Sequence, residues 1–173
     1  MILVKSSLVV GSLATLAAAT AISALGGTSA SFTLSAGVLS ISAPAGPVSL
    51  GSQLVSASAS SISGQLGVVT VTDQRGGATS WVTSVIVTAF TPTTGPALTA
   101  IPATQVSYSA GIVTEVGVTT AQPATTDLTG VSPVVNGTSV GLSTASWNPT
   151  ISVLLPPNAA PGVYTATITH SVA

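Results

Sequence analysis

Residues 64–90 read GQLGVVTVTDQRGGATSWVTSVIVTAF, and the two β-branched runs within them decide the fold class. Val, Ile and Thr suit a pleated, half-buried surface, while Asp, Gly and Gly punctuate such runs. The pattern predicts strands over 66–73 and 80–90, joined by a Gly-rich polar turn into a central hairpin. That turn holds Arg75, the only arginine of the chain, and Trp81 stands at the head of the second run.

Working outward, residues 31–42 (SFTLSAGVLSIS) alternate apolar and polar positions. Phe32 and Leu34 share one parity, Leu39 and Ile41 the other parity of the same run, so a first strand with a kink near Gly37 is expected. Residues 43–63 carry Pro44, Pro47 and a Ser/Ala-rich tract and read as a loop, with one edge strand near 49–55. After the central hairpin, three prolines make 91–103 an irregular connection. A second hairpin, 105–109 with 112–119, is expected around Ala110-Gly111. Residues 121–143 are punctuated by Pro, Thr and Gly and leave only a weak strand near 138–142. Strand character returns at 150–155, which Pro156-Pro157 ends, and at 163–172, where Tyr164, Ala166, Ile168, His170 and Val172 share a face opposite three threonines. Eight or nine short strands separated by turn signals predict an all-β chain, an immunoglobulin-like β-sandwich, with a barrel as the competing closure.

Composition narrows the function. Lys5, Arg75, Asp73, Glu115 and Asp127 are the whole charged inventory, for a net charge of -1. Nucleic-acid binding needs a basic footprint that this chain lacks. Polarity comes from Ser and Thr, roughly thirty per cent of residues. Cysteine is absent, which excludes thiol chemistry and disulfides.

Lys5, the weakly apolar run 8–25 and the small residues ending at Ala30 follow the order of a secretory signal, with a transmembrane anchor as the rival reading. Cleavage near Ala30 would leave a single domain, 31–173, secreted and with no stable membrane insertion.

Candidate site residues are few. Trp81 and Trp147 could stack on sugar rings, or anchor the core as large aromatics usually do. Asp73 and Arg75 could bind a carboxylate or sugar hydroxyls, or cap and brace their own turn. His170, Glu115 and Asp127 lie far apart in sequence, which gives no basis for a catalytic dyad, a metal site or a cofactor. A non-catalytic protein is expected. Asn136-Gly137-Thr138 fits a glycosylation acceptor pattern too short to weigh.

The order GQLGVVTVTDQRGG, SWVTSVIVTAF, IPATQVSYSAG and ASWNPTISVLLPPNAAPGVYTATITHSVA resembles the secreted WxL-type bacterial surface proteins, in particular their actinobacterial relatives. The resemblance rests on the two Trp-led segments. Thr83 and Pro149 stand where the family motif carries Leu. It implies a β-rich domain held non-covalently on the cell wall, with peptidoglycan as partner and Trp81, Trp147, Asp73 and Arg75 as ligand-binding residues. The alternative function is a structural subunit of a surface layer or fibre that self-associates through its strands, since a nearly uncharged Thr-rich surface opposes contact between copies only weakly.

Overall fold

The computed structural model describes residues 29–94, 99–123, 125 and 127–173; most of the expected signal segment, residues 1–28, lies outside them. Among the described residues there are eleven strands: β1 (Leu39–Ser42), β2 (Ser60–Gln65), β3 (Val69–Asp73), β4 (Thr79–Val87), β5 (Thr91–Thr94), β6 (Val106–Ser109), β7 (Val113–Ala121), β8 (Ser132–Trp147), β9 (Thr150–Leu155), β10 (Val163–Thr165) and β11 (Ile168–Val172). The all-β expectation holds. The chain divides into a segment ending at Leu34 and a unit running from Ser35 to Ala173, and the strands all belong to the second.

β8, sixteen residues long, is the spine. Its C-terminal part pairs antiparallel with β3, from Val69↔Trp147 to Asp73↔Ser143, and its N-terminal part pairs antiparallel with β4, from Thr79↔Ser139 to Val85↔Ser132. β3 and β4 therefore run in one direction along one side of β8. The expected central hairpin does not form. Residues 74–78 leave the line of the strand and return to it, with Gly76 and Gly77 both at positive φ, so the Gly-rich tract makes an excursion and not a reversal.

On the far side of this interrupted strand, β1 pairs with β3 and β11 with β4. On the far side of β8 lies β7, giving a six-stranded sheet. The second layer is the three-stranded sheet β2-β9-β6, and β5 pairs with β10 separately. The second expected hairpin is also corrected: β6 pairs with β9 and β7 with β8, so the chain crosses between sheets at 110–112.

Three other readings change in detail. Residues 49–55 form no strand, and the edge strand of this region is β2. Of the expected strand 31–42 only β1, extended by the backbone bonds of Gly37 and Val38 to Gln74, pairs, and Gly37 sits where a Cβ would meet Gln74. Thr91–Thr94 is a strand despite Pro92, as a two-stranded edge ribbon tolerates.

Alternation drives the packing. Odd-numbered residues of β3 and β4 (Val69, Val71, Trp81, Val85, Val87) face Val106, Tyr108, Ile151 and Val153 of the second layer, and together with Leu128, Val134 and Val135 they form one buried core. Even-numbered residues of β3 and β4, and of β8 from Asn136 onward, face outward: Thr70, Thr72, Ser80, Val82, Ser84, Thr138, Val140, Leu142, Thr144 and Ser146 among them. None of these is charged.

Candidate functional site

The break between β3 and β4 is held by a polar knot. Asp73, buried on the inner face, accepts hydrogen bonds from Arg75 Nε (2.9 Å) and Nη2 (2.9 Å), from the Arg75 backbone N–H (3.0 Å) and from Thr79 Oγ1 (2.7 Å). Thr79 Oγ1 also lies 2.8 Å from Ser139 Oγ on the spine, and Arg75 Nη2 donates to Ser80 O at 2.9 Å. The Arg75 hydrogen bonds, helped by Thr79, hold the Asp73 carboxyl well below the usual carboxylate range against the opposing cost of burial. Apart from the Thr79–Ser139 contact with the spine, every one of these bonds stays within the excursion and its flanks. Asp73 is thus an internal cap, saturated by its own neighbours, and the ligand-binding reading of this residue is corrected. Arg75 is about a third exposed, but its fork is turned onto Asp73.

The sugar-stacking reading of the two tryptophans is corrected as well. Trp81 and Trp147 are each only 2% exposed, so neither presents a ring face. Trp81 lies over Gly137 of β8, whose missing side chain gives the indole its room. Trp147 has a second task. Its Nε1–H donates to Tyr108 Oη at 2.9 Å, and Tyr108 Oη lies 3.2 Å from His170 Nε2.

This chain of three side chains links the core to the open side of the sandwich. Tyr108 Oη accepts from Trp147, and the direction of its contact with His170 Nε2 follows the imidazole tautomer: with the ring hydrogen on Nδ1 the tyrosine hydroxyl donates to Nε2. Burial lowers the His170 pKa and pushes that of Tyr108 up to about 12. The sign of the pH effect follows. Above the unfolded value near 6.5 neither state binds the proton; as pH falls below it, the unfolded chain takes the proton first and stability is lost. The urea midpoint is expected to fall between pH 7.5 and 5, and His170→Gln is expected to flatten that window. An unchanged slope in the variant would refute the assignment.

His170 also lines a cleft of about 1030 Å³. Its floor is apolar: Phe90, Ile101, Val153, Leu155 and Ile168, with walls from residues 43–56 and 159–167. His170 is the only acid, base or histidine on it. The cleft lies where the two layers fail to close. Among the described residues, β11 pairs only with β4 and β2 only with β9, so each leaves one strand edge on this side. Sequence reasoning placed His170 on the inner face of the last strand but missed the cleft, because much of its wall comes from 43–56 and 159–162, which read as a Pro-punctuated loop with one edge strand and as a turn.

No family model, curated protein or solved structure matches this chain. The site is therefore read from its own geometry.

The opposite side of the large sheet is built differently. β7 is its nine-residue edge, paired only with β8 among the described residues. It carries Glu115, one of the few charges of the chain, and a bulge at Gly117, which has φ 68° and sits where a Cβ would meet Leu142 O. Glu115 Oε1 accepts from both Thr120 N and Thr120 Oγ1, which pins the carboxylate across the bulge. A charge and a bulge are the devices that keep an edge strand from pairing with another chain. The β2 and β11 edges carry neither. Asp127, the remaining carboxylate, accepts from Thr129 N and Oγ1 in an exposed turn and has no part in either side. Among the described residues no three His, Asp or Glu side chains converge.

Proposed function

We propose that this protein is a secreted, non-catalytic structural subunit that assembles with copies of itself into a surface layer or fibre through β-strand contacts. The observation that carries the reading is the asymmetry of the two sides of the sandwich. One edge is guarded by Glu115 and the Gly117 bulge; the other is uncharged, unguarded and opens onto an apolar cleft. An open apolar side in a chain of net charge -1 favours association, because copies repel one another weakly. The nearly charge-free outer face of the large sheet supports the same reading. The resemblance to WxL-type surface proteins agrees with a wall-facing location, whereas a peptidoglycan site would need residues other than Trp81, Trp147 and Asp73.

Sedimentation velocity and light scattering on the chain expressed from its full coding sequence test this. The sedimentation coefficient is expected to rise with protein concentration, equally at low and high salt, since screening has almost nothing to screen. A chain that stays monomeric at all concentrations, yet pellets with purified peptidoglycan sacculi, would replace this reading with wall binding.

A further inference from the structure

We infer that the open cleft receives the N-terminal arm, residues 29–36, of a second copy of this chain. The inference rests on the self-assembly reading and names the contact. Residues 29–38 have no regular structure, and Phe32 and Leu34 are 91% and 89% exposed. These are the features of a strand without a sheet. Phe32 and Leu34 recur at period two, with Ser31, Thr33 and Ser35 between them, which is the pattern of an extended segment with one apolar face.

The cleft is the matching half. It offers an apolar floor formed by Phe90, Ile101, Leu155 and Ile168, flanked by the edges of β11 and β2. An incoming strand would satisfy its backbone on a strand edge while every second side chain enters the floor. Charge matches as well. The arm has no ionisable side chain, and the only acid, base or histidine lining the cleft is His170, whose charged form burial disfavours. Docking the arm therefore desolvates no charged side chain.

The geometry also sets the type of assembly. The donor surface (arm) and the acceptor surface (cleft) are different patches, so the contact is heterologous, and each copy that accepts an arm still has its own arm to give. Such contacts propagate as filaments unless the rotation closes a ring. A fibre follows from the contact without a second interface.

Two experiments test it, both on the chain expressed from its full coding sequence. The double variant Phe32→Ser, Leu34→Ser is expected to raise the concentration needed for assembly by roughly a hundredfold, as losing two buried apolar side chains would. Its urea midpoint as a monomer is expected to stay unchanged, because both residues are exposed. The chain has no cysteine, so a Leu34→Cys chain mixed with a separate Ala160→Cys chain reports the contact directly. Oxidation is expected to give a disulfide-linked pair containing one of each. If the wild type assembles but the double variant assembles at the same concentration, or the mixed pair does not form, the arm is not the occupant and self-assembly stands by another surface. A third chain carrying both Leu34→Cys and Ala160→Cys that closes its disulfide only within one monomer, while the separate chains give no mixed pair, would show the arm filling its own cleft and would overturn the proposal. A wild-type chain that never assembles removes the self-assembly reading itself.

Discussion

Trp81→Ala is expected to lower the unfolding free energy by about 3–5 kcal/mol, a large share of the 5–15 kcal/mol that a domain of this kind possesses. The indole is the largest fully buried side chain and bridges β4 to the spine over Gly137. Its Nε1–H has no protein partner, so Trp81 contributes by mass and contact. The converse substitution is as informative. A Cβ on Gly137 would overlap Trp81 Cε2 and Cζ2, and Gly137→Ala is expected to cost about 1–3 kcal/mol through overpacking. In the Trp81→Ala background the same change has space to occupy and is expected to be close to neutral. Chemical denaturation of the four proteins in a double-mutant cycle measures the coupling. Additive effects would mean that ring and glycine do not share the space described.

The second large effect is at Asp73. Asp73→Ala is expected to cost about 2–4 kcal/mol, because several donors share this one buried acceptor. The loss is one of register: without the carboxylate, Arg75 keeps only Ser80 O and Thr79 only Ser139, and neither ties the start of β4 back to the end of β3. Asp73 also makes the fold acid-sensitive. Its folded pKa is depressed, chiefly by the Arg75 hydrogen bonds, so its contribution is complete above the unfolded value near 3.9 and is lost as pH falls through the folded value. The wild-type urea midpoint is expected to drop from pH 5 to pH 2, and Asp73→Asn is expected to remove most of that drop. The remainder belongs to Asp127, whose pKa Thr129 also lowers. An acid slope unchanged in Asp73→Asn would place the effect elsewhere.

The strands themselves were legible where bulky residues alternate. Residues 69–73, 150–155 and 168–172 pair and bury as their parity implies. The longest strand was the least legible. β8 presents Gly137, Ser139, Ser143 and Ala145 on its inner face, where Trp81 from the neighbouring strand fills the space beside Gly137 and the knot around Asp73 reaches Ser139. A central strand that supplies backbone and leaves bulk to its neighbours has no hydrophobic period to read. The false hairpin has the same origin: Asp-Gln-Arg-Gly-Gly suits a reversal and an excursion equally, and only the unbroken spine decides between them.

The candidate site was legible in part. His170 fell on the correct face of its strand, while the tryptophans and Asp73 were open to two readings, and burial selects the internal one. Phe32 and Leu34 were recognised as strand-forming. Alternation says that a segment will pair, not with which sheet, and that is why the arm could not be told from a first strand.

The spine has a kinetic consequence. β4 finds its partner in β8, with Thr79 and Ser139 standing 60 positions apart, and the links of Gly67 and Gln65 to Asn148 span 81 and 83 positions. β1 with β3 apart, every pairing awaits β7 or a later strand. Loop closure over such spans is slow, which places folding in the range of milliseconds to seconds and leaves β4 unpaired, and β3 with β1 alone, until the spine arrives. A chain that cannot fold before its last third exists stays extended during synthesis, a state that threading through a narrow export channel would require.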